Sequence, residues 1–430
     1  MSDPSKRVYD SILEMLSSVE NPTPLVRINR ISPYRHTKVY AKLEWYNPFG
    51  AVKDRVAASL IRDADEKGIP LEHLVEPTSG NTGMALAMLA NARKLDFTAT
   101  LSLAIPEEKR AALRAFGAQL VELSDDLCPM PGAPEGAMAV ANELAQQPGW
   151  HQLNQYKNPA NPDAHFRTTG PEIWRQTDGK ITHFVAGLGT CGTITGAGRF
   201  LKSKDGNIKV LGVHPSEGHD IPGVRSRTAL ALTDFFLPNE YDGLQEIGND
   251  EAYRTCKRLL QEESIIAGPS SGMALAGTFK LVPDEPGAIC VVMFPDNAFK
   301  YTSSFKKHLP ELFPPSTEQS VAAVPSATDE VDPAQAAQMI RDGALLLDVR
   351  TPGEFNQAHL AEAVNIPIQA LQAGPVEGLP ADKQAPIVTI CATGRRSMAA
   401  LELLRSRGYT HVSSSRGGMK AWKAELQPQK

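Results

Sequence analysis

The sequence predicts an α/β protein made of two successive parts, because short β-rich runs alternate with helical patterns along most of its length. From residue 38 to residue 295 this alternation is typical of parallel sheets covered by helices. It stops at residues 313–329 (FPPSTEQSVAAVPSATD), where prolines, serines and small residues indicate a linker, and it then resumes. We therefore expect a large domain over residues 1–312, a linker over residues 313–330 and a small domain over residues 331–430.

Individual elements can be placed by the same pattern in both parts. In the large domain, the β-rich run 97–105 is followed by a helical pattern over 107–116. In the small domain, strands are predicted over 344–349 and 387–390, and a helix over 397–406. The small domain therefore repeats the α/β theme of the large one.

Composition narrows the functional classes. A chain of 430 residues has room for two or three domains, and 42% hydrophobic with 22% charged residues is ordinary for a globular protein. The net charge is −5 without a basic stripe, so we expect no nucleic-acid partner. No run approaches the roughly 20 apolar residues of a membrane span. The five scattered cysteines lack paired spacing, which predicts neither disulfides nor a metal site and favours a reducing cytoplasm.

One lysine lies where a loop gives way to a helix. Residues 47–55 (NPFGAVKDR) contain proline and glycine and lead into an amphipathic run, so Lys53 should begin a helix. Most lysines at helix starts are simply solvated. A chemical role for Lys53 therefore depends on what surrounds it.

Two polar, glycine-bounded loops also open helices. Residues 77–83 (PTSGNTG) precede an apolar helix predicted over 84–92, and residues 187–193 (GLGTCGT) follow a strand-like run over 182–186. Small residues at a helix start let several backbone N–H groups converge on a phosphate. Either loop alone is a weak signal, because capping turns have the same composition.

Taken in order, these three segments resemble the fold type II pyridoxal-phosphate enzymes, in particular the cysteine synthase family. The resemblance covers about residues 20–310 and continues through 154–159 (NQYKNP) and 168–174 (TTGPEIW). Residues 217–223 (EGHDIPG) are similar to the B-type members, which accept donors larger than sulfide. The resemblance implies two α/β subdomains, the cofactor pyridoxal 5'-phosphate and a homodimer.

The resemblance also implies a role for each motif. Lys53 would hold the cofactor's aldehyde as a Schiff base and, once released, would remove the substrate's α-proton. Asn81 and Ser270 would meet the pyridine ring. The other implied contacts are Gly189, Thr190, Gly192 and Thr193 for the phosphate, and Thr78, Ser79, Thr82 and Gln155 for the substrate carboxylate.

Two positions keep a structural alternative. Ser270 precedes a helix predicted over 273–281, and its local sequence favours a plain N-cap. A serine at the pyridine nitrogen, instead of an aspartate, would leave that nitrogen unprotonated and would favour β-elimination and β-replacement. Cys191 stands where the family usually has glycine, and it fits unless the position needs a positive φ. We expect Cys191 to fill space and not to react.

A second motif lies in the small domain. Residues 391–397 (CATGRRS) join a strand to a helix, and a cysteine at a helix N-terminus beside two arginines should be a thiolate. A buried structural cysteine fits poorly with such a polar loop, and a phosphatase loop would place its arginine where Ser397 stands. The segment resembles the active loop of single-domain rhodaneses. Further matches over residues 331–427 are LDVR at 347–350, Glu354, His359 and GGMKAW at 417–422.

By this second resemblance, Cys391 would carry sulfane sulfur as a persulfide, stabilised by backbone N–H groups and by Arg396. Asp348, Arg350 and His359 would make structural contacts. The whole chain would then make L-cysteine by β-replacement on an O-activated L-serine, either O-acetylserine or O-phosphoserine. The sulfur would come from sulfide, thiosulfate or another sulfane donor.

Three points stay open at this stage. Arg225 follows residues 217–223 closely and could meet a phosphate on the substrate, although a surface arginine is as good an interpretation. A cystathionine β-synthase-like, dehydratase or β-eliminating enzyme on the same fold is the main alternative. The small domain could also be a regulatory or docking module.

Overall fold

A computed structural model describes residues 8–78, 80–124, 136–313, 329–374 and 376–425. The chain divides into two compact units, Met1–Phe313 and Pro314–Lys430. Most of the expected linker, and Ser79, lie outside the described residues. Within the described ranges no helix is long and apolar enough to cross a membrane.

The first unit alternates strands and helices as predicted. Its strands are β1 Leu25–Arg27, β2 Lys38–Leu43, β3 His73–Pro77, β4 Asp96–Ser102, β5 Gln119–Leu123, β6 Trp150–Gln152, β7 His183–Gly187, β8 Lys209–Pro215, β9 Gly243–Ile247 and β10 Ile289–Phe294. Its helices are α1 Lys53–Glu66, α2 Asn81–Arg93, α3 Glu107–Ala115, α4 Ala137–Leu144, α5 Ala160–Ala164, α6 Gly170–Gln176, α7 Gly192–Lys204, α8 Asn249–Glu262, α9 Pro269–Leu281 and α10 Thr302–His308.

These strands form two sheets, one for each α/β subdomain. The larger sheet has six strands in the order β1-β2-β10-β7-β8-β9, parallel except for the edge strand β1. The smaller has four parallel strands in the order β5-β4-β3-β6. The predicted α/β class is thereby confirmed.

The larger sheet is buried on both faces, which explains its apolar strands. In β10 (ICVVMF), Val291 and Met293 pack into one hydrophobic core, whereas Val292 and Phe294 pack into another. Side chains alternate between the faces of a strand, so a parallel strand covered on both sides must be apolar throughout. The buried strands hold the loops at their carboxyl ends in fixed positions.

A buried ion network fixes the start of α1. Arg55 Nε lies 2.7 Å from Glu44 Oε2, and Arg55 Nη2 lies 2.9 Å from Glu172 Oε2. Lys42 Nζ contacts the same Glu172 Oε2 at 2.7 Å. The four side chains are 0–1% exposed, so they are held by one another and not by water. Because Arg55 lies two residues after Lys53 in the first turn of α1, the network also fixes the backbone position of Lys53.

The second unit has its own parallel sheet, in the order β11-β15-β14-β12-β13. The elements are β11 Glu330–Val331, α11 Pro333–Arg341, β12 Leu345–Asp348, α12 Pro352–Gln357, β13 Val364–Asn365, α13 Ile368–Ala373, β14 Ile387–Ile390, α14 Arg395–Ser406, β15 Val412–Ser415 and α15 Gly418–Glu425.

Three helices begin earlier than predicted. Asn81 opens α2 and Arg395 opens α14, each inside the loop that the sequence placed before the helix. Helix α9 begins at Pro269 with Gly268 as its N-cap, so the expectation that Ser270 is the N-cap was wrong. Proline is favourable in the first turn of a helix because its missing N–H is not needed there. That preference moves the start of α9 ahead of Ser270.

Candidate active sites

Lys53 is the first residue of α1, and its amine faces the loop after β7. Its Nζ donates to Thr190 Oγ1 at 3.1 Å. Burial lowers the pKa of Lys53 to about 8; Cys191 opposes this shift and the charge of Arg225 adds to it. An amine that is partly neutral near physiological pH can act as a nucleophile and as a base. The structure therefore gives Lys53 the property that its predicted role needs.

The loop after β7 closes tightly on its surroundings. A Cβ on Gly189 would lie 2.5 Å from Gly223 O, and one on Gly192 would lie 1.9 Å from Asn161 Oδ1. Only glycine leaves the backbone this close to its neighbours at both positions. Cys191 is the N-cap of α7 and adopts φ +64°, so this position does need a positive φ, the question that the sequence left open. Burial raises the pKa of the Cys191 thiol to about 12, which suits a space-filling residue.

His165 supports this loop and was not anticipated from the sequence. It lies in a π-helical turn, His165–Thr169, with Nδ1 2.9 Å from Thr169 Oγ1 and Nε2 3.2 Å from Thr193 Oγ1. Burial lowers the pKa of His165 to about 3, helped by the charge of Arg55, so the ring stays neutral. A neutral imidazole donates through one ring nitrogen and accepts through the other, so the ring can bind both threonine hydroxyls. His165 thereby holds the Thr193 hydroxyl in place at the start of α7.

A chain of hydrogen bonds connects Lys53 to the predicted carboxylate site. Asn161 Nδ2 donates to Thr190 Oγ1 at 3.0 Å and to Gln155 O at 2.7 Å. Thr82 Oγ1 donates to Gln155 Oε1 at 2.7 Å. The structure thus brings together Lys53, Thr190, Gln155 and Thr82, which lie far apart in the sequence. Thr78 Oγ1, in the same loop as Thr82, accepts the Gly83 N–H at 3.0 Å.

Glu76, at the end of β3, holds the turn that carries Gln155. Its two carboxyl oxygens accept the N–H groups of Asn154 and Gln155, both at 2.9 Å. Burial raises the pKa of Glu76 to about 7, although both N–H donors oppose the shift. Sequence reasoning missed Glu76, since an acidic residue before a polar loop has no distinctive signature.

Asn81 is held at both ends of its amide. Its Nδ2 donates to Asp296 Oδ2 at 2.5 Å, and its Oδ1 accepts from Lys300 Nζ at 3.0 Å. Lys300 also donates to Gly50 O at 2.9 Å, in the loop before Lys53. Gly80, and not Asn81, is the N-cap of α2. The structure therefore favours a held amide over the simple capping turn.

Ser270 and Arg225 flank the loop after β7. Ser270 is buried in the first turn of α9, and its carbonyl would lie 3.9 Å from a Cβ on Gly187. Arg225 Nη2 donates to the Tyr156 hydroxyl at 2.8 Å, and its guanidinium lies 4.9 Å from the centre of that ring. Arg225 is therefore held by Tyr156 and is not a free surface arginine, while its role toward a substrate stays a prediction.

These residues fit pyridoxal phosphate. Lys53 offers a buried amine to an aldehyde, and the N-terminus of the 13-residue helix α7 offers backbone N–H groups to a phosphate. The close approaches at Gly189 and Gly192 leave no room for a side chain at either position. The roles predicted for individual residues, including Ser79 outside the described residues, stay predictions.

The second candidate site is the loop between β14 and α14. The N–H of Gly394 donates to Cys391 Sγ at 3.2 Å. Burial alone would raise the pKa of Cys391, but the Ser397 hydroxyl and the N–H groups of Ser397, Thr393 and Gly394 outweigh it and lower that pKa. Cys391 is the one described cysteine whose pKa is lowered, since burial raises the pKa of the Cys191, Cys256 and Cys290 thiols.

Arg396 forms an ion pair with Glu354 through two of its guanidinium nitrogens. Its Nη1 and Nη2 lie 2.8 and 2.6 Å from the two carboxyl oxygens of Glu354. Hydrogen bonds from Arg396 lower the pKa of Glu354 to about 2, so the pair is ionised. Asp348 and Arg350 form a buried pair at 2.6 Å, and His359 stacks on Phe355 with 4.0 Å between ring centres.

Comparison with known proteins assigns both parts of the chain to families. Residues 16–296 match the model of the pyridoxal-phosphate dependent enzymes, and residues 332–425 match the rhodanese-like domain. Cysteine synthase B of Salmonella typhimurium is 40% identical over 284 residues, which are 66% of this chain and 92% of that protein. O-ureido-L-serine synthase of Streptomyces lavendulae is 36% identical and covers 69% of this chain and 92% of its own length.

The fold agrees with these matches. The crystal structure of cysteine synthase from Entamoeba histolytica superposes with a TM-score of 0.63 at 28% identity. It covers 71% of this chain and 92% of its own. The similarity in sequence and in fold therefore extends over nearly the whole length of the relatives.

Proposed function

The chain belongs to the pyridoxal-phosphate-dependent enzymes of the cysteine synthase family, and we propose that it makes L-cysteine from an O-activated L-serine. It carries a C-terminal rhodanese-like domain in addition. The observation that best supports the proposal is the buried Lys53 amine, which has a lowered pKa and lies 3.1 Å from Thr190 at the start of α7.

When bound, pyridoxal phosphate supplies an electron-accepting ring that makes the substrate's α-proton acidic. The chain's own residues do the rest. Thr82 and Gln155 bind the substrate carboxylate beside Lys53, whose Nζ takes the proton from Cα. The Cβ–O bond breaks and the leaving group departs with its electron pair. A sulfur nucleophile then forms the Cβ–S bond, and Lys53 returns the proton to Cα.

The activating group on serine is the next part of the proposal. Arg225 lies close enough to Lys53 for its charge to lower the Lys53 pKa, and its partner Tyr156 leaves other N–H groups of the guanidinium available. A phosphate leaving group would gain a charge-assisted contact there, whereas an acetate ester would gain less. We therefore include O-phosphoserine beside O-acetylserine as a substrate.

The rhodanese-like domain is proposed to carry sulfane sulfur on Cys391. Its thiolate attacks the outer sulfur of thiosulfate, a new S–S bond forms, and sulfite leaves with the electron pair of the broken bond. The N–H groups at the start of α14 and the Ser397 hydroxyl support the anionic sulfur that remains.

Product analysis of the full chain tests both halves of the proposal. O-acetylserine and O-phosphoserine are each supplied with sulfide or thiosulfate, and amino-acid products are identified by mass spectrometry. We expect L-cysteine from sulfide. Formation of pyruvate and ammonia alone would instead indicate a β-eliminating enzyme, and cystathionine from added homocysteine would indicate the cystathionine-forming alternative.

The homodimer stays a prediction from the resemblance, and the cytoplasmic location stays a prediction from the cysteine usage. Light scattering of the purified chain at several concentrations tests the first. A mass of one chain at all concentrations would contradict it.

A further inference from the structure

The strand β15 in the second unit is buried but made largely of serine. It lies in the interior of the five-stranded sheet between β14 and β11, and all four of its residues, Val412–Ser415, are buried. Strands in this position are normally apolar, because a buried hydroxyl costs free energy unless it is hydrogen-bonded. The partners of these hydroxyls therefore indicate what the serines do.

The hydroxyls of Ser414 and Ser415 bind to side chains of two different helices. Ser415 Oγ accepts from Trp422 Nε1 at 2.7 Å, which ties β15 to α15. Ser414 Oγ donates to Ser397 Oγ at 2.9 Å, and both serines are 0% exposed. Ser397 lies in the first turn of α14, beside the loop of Cys391. Thr389 of β14 completes this hydroxyl cluster (Thr389, Ser397 and Ser414) by donating to Ser397 O at 3.0 Å.

The Ser397 hydroxyl has one proton and two acceptors within reach. One is Gly394 O, to which it donates at 2.9 Å; the other is the sulfur of Cys391, which accepts the Gly394 N–H at 3.2 Å and whose pKa the Ser397 hydroxyl lowers. Because Ser414 donates to Ser397 Oγ, the Ser397 proton is not spent on Ser414. An anionic acceptor forms a stronger hydrogen bond than a neutral carbonyl. The proton should therefore turn to the sulfur whenever that sulfur is charged.

We propose that Ser414 is a positioning residue for the sulfur of Cys391. By donating to Ser397, it keeps the Ser397 proton available to an anionic thiolate or persulfide. This inference rests on the proposed role of Cys391 as a sulfur carrier, and it adds a residue on β15 that touches neither the sulfur nor a substrate.

Other charges around Cys391 are held by separate partners. Arg396 pairs with Glu354, and Arg350 pairs with Asp348. Three further charged side chains, Arg395 of α14, Arg416 before α15 and Lys420 of α15, are exposed, and Arg416 Nε lies 3.7 Å from Glu330 Oε2. Since none of these side chains contacts Ser414, a change at Ser414 alters the hydroxyl cluster and leaves the charges in place.

The test measures how fast iodoacetamide alkylates Cys391 in the reduced, full-length protein as a function of pH. Mass spectrometry of the Cys391 peptide separates this thiol from the others. We expect Ser397→Ala to raise the pH midpoint of alkylation by about one unit, equivalent to about 1.4 kcal/mol, because it removes the hydroxyl itself. Ser414→Ala removes only the donor that supports this hydroxyl and should raise the midpoint by about half a unit. Ser415→Ala, which removes a neighbouring buried hydroxyl with another partner, should leave the midpoint unchanged.

An unchanged midpoint in Ser414→Ala, or an equal shift in Ser415→Ala, would overturn the proposal. So would a further shift on adding Ser414→Ala to Ser397→Ala, because Ser414 acts only through the Ser397 hydroxyl, which has already been removed. If Ser414→Ala does not fold, Ser414→Thr and Ser414→Val provide a pair of equal volume. The threonine should keep the wild-type midpoint and the valine should raise it.

The alkylation profile is independent of sulfur transfer. Thiosulfate-to-cyanide transfer is measured separately on the wild-type chain. Absence of transfer in the wild-type chain, together with a shifted alkylation profile in Ser414→Ala, would contradict the sulfur-carrier role and support the positioning role of Ser414. Transfer by the wild-type chain without any shift of the midpoint in Ser414→Ala would support the carrier role and contradict the positioning role of Ser414.

Discussion

At the scale of single residues, burial moves two ordinary side chains toward neutral pH from opposite directions. It lowers the pKa of Lys53 to about 8 and raises the pKa of Glu76 to about 7. The cause is the same, because a buried group resists the charged form whichever sign that charge has. Lys53 thereby gains a fraction of neutral amine, and Glu76 gains a fraction of neutral acid.

The first prediction concerns Lys53. Lys53→Ala should abolish cysteine formation, because no other described amine lies against Thr190. Borohydride reduction in the presence of pyridoxal phosphate should label the Lys53 peptide in the wild-type chain and nothing in the variant. Lys109→Ala, which removes another lysine whose pKa is lowered by burial, should keep the label. A label on a different lysine in Lys53→Ala would contradict the assignment.

Glu76 gives a prediction on stability. Its folded pKa of about 7 lies above the ordinary value of 4.5, so the folded state holds a proton that the unfolded state releases. Its contribution to the free energy of unfolding should therefore be full below pH 4.5 and fall as the pH rises to about 7. Glu76→Gln should remove this decrease, which is at most about 1.4 kcal/mol per pH unit.

Urea denaturation at several pH values, followed by tryptophan fluorescence, measures this difference. Three of the four tryptophans lie in the first unit, so the signal reports mainly on the domain that contains Glu76. Glu72→Gln, at an exposed carboxyl in the turn before β3, is the control. If the wild type and Glu76→Gln depend on pH equally, Glu76 is ionised in the folded protein.

Arg225 gives a prediction on substrate choice. If its guanidinium meets a substrate phosphate, Arg225→Ala should raise KM for O-phosphoserine by about 10- to 150-fold, the effect of one charge-assisted contact of 1.5–3 kcal/mol. KM for O-acetylserine should change much less. Arg227→Ala, at an exposed arginine nearby, should affect neither substrate. Equal effects of Arg225→Ala on both substrates would mean that Arg225 only supports the loop through Tyr156.

At the scale of elements, the site depends on how closely α7 approaches α5. A Cβ on Gly196 of α7 would lie 1.9 Å from Pro162 O, which is backbone and cannot move aside easily. Gly196→Ala should therefore push α7 away from the turn that carries His165. We expect a loss of about 1–3 kcal/mol in the free energy of unfolding, the usual cost of overpacking, together with weaker binding of pyridoxal phosphate.

Gly206→Ala is the matched control for that change. Gly206 follows α7 in a turn, and nothing lies within 4 Å of a Cβ placed there. Thermal unfolding and equilibrium binding of the cofactor measure both effects. Unchanged stability in Gly196→Ala would mean that α5 and α7 can separate without loss.

The elements themselves could largely be predicted from the sequence. Lys53 begins α1, and β14 has the bounds that its apolar run predicts, because these signals are local. The supporting contacts could not be predicted, since each joins segments far apart in the chain. Glu76 holds a residue 78 positions away, Thr193 meets His165 across 28 positions, and Arg396 meets Glu354 across 42. Only the folded chain brings such partners together.

Local preference also failed at one helix start. Serine is among the best N-cap residues, which favoured Ser270 at the start of α9. The helix begins instead at Pro269 after Gly268, and Ser270 is carried into the buried first turn. A Cβ on Gly268 would lie 2.4 Å from Asp296 Oδ1, so tertiary packing against the Asp296 segment sets this start.

At the scale of the whole molecule, the central question is why two sites with proposed roles in sulfur chemistry share one chain. A covalent connection raises the concentration of one site at the other, to about the millimolar range when a short linker spans the gap. The first unit has two sheets and the second has one, and each unit has hydrophobic cores of its own. A shared pathway is therefore a separate hypothesis from either site assignment.

The last prediction tests that pathway. Cys391→Ser should abolish thiosulfate-to-acceptor sulfur transfer, because a hydroxyl cannot store sulfane sulfur as a persulfide. Cysteine formation from free sulfide should be unchanged, since sulfide can reach the Lys53 site without a carrier. Formation from thiosulfate plus a reductant should fall, and excess sulfide should restore it. Cys256→Ser, at a buried cysteine of the first unit, is the control and should change none of these rates. If Cys391→Ser leaves synthesis from thiosulfate untouched, the Lys53 site uses thiosulfate directly and the two units do not share a pathway.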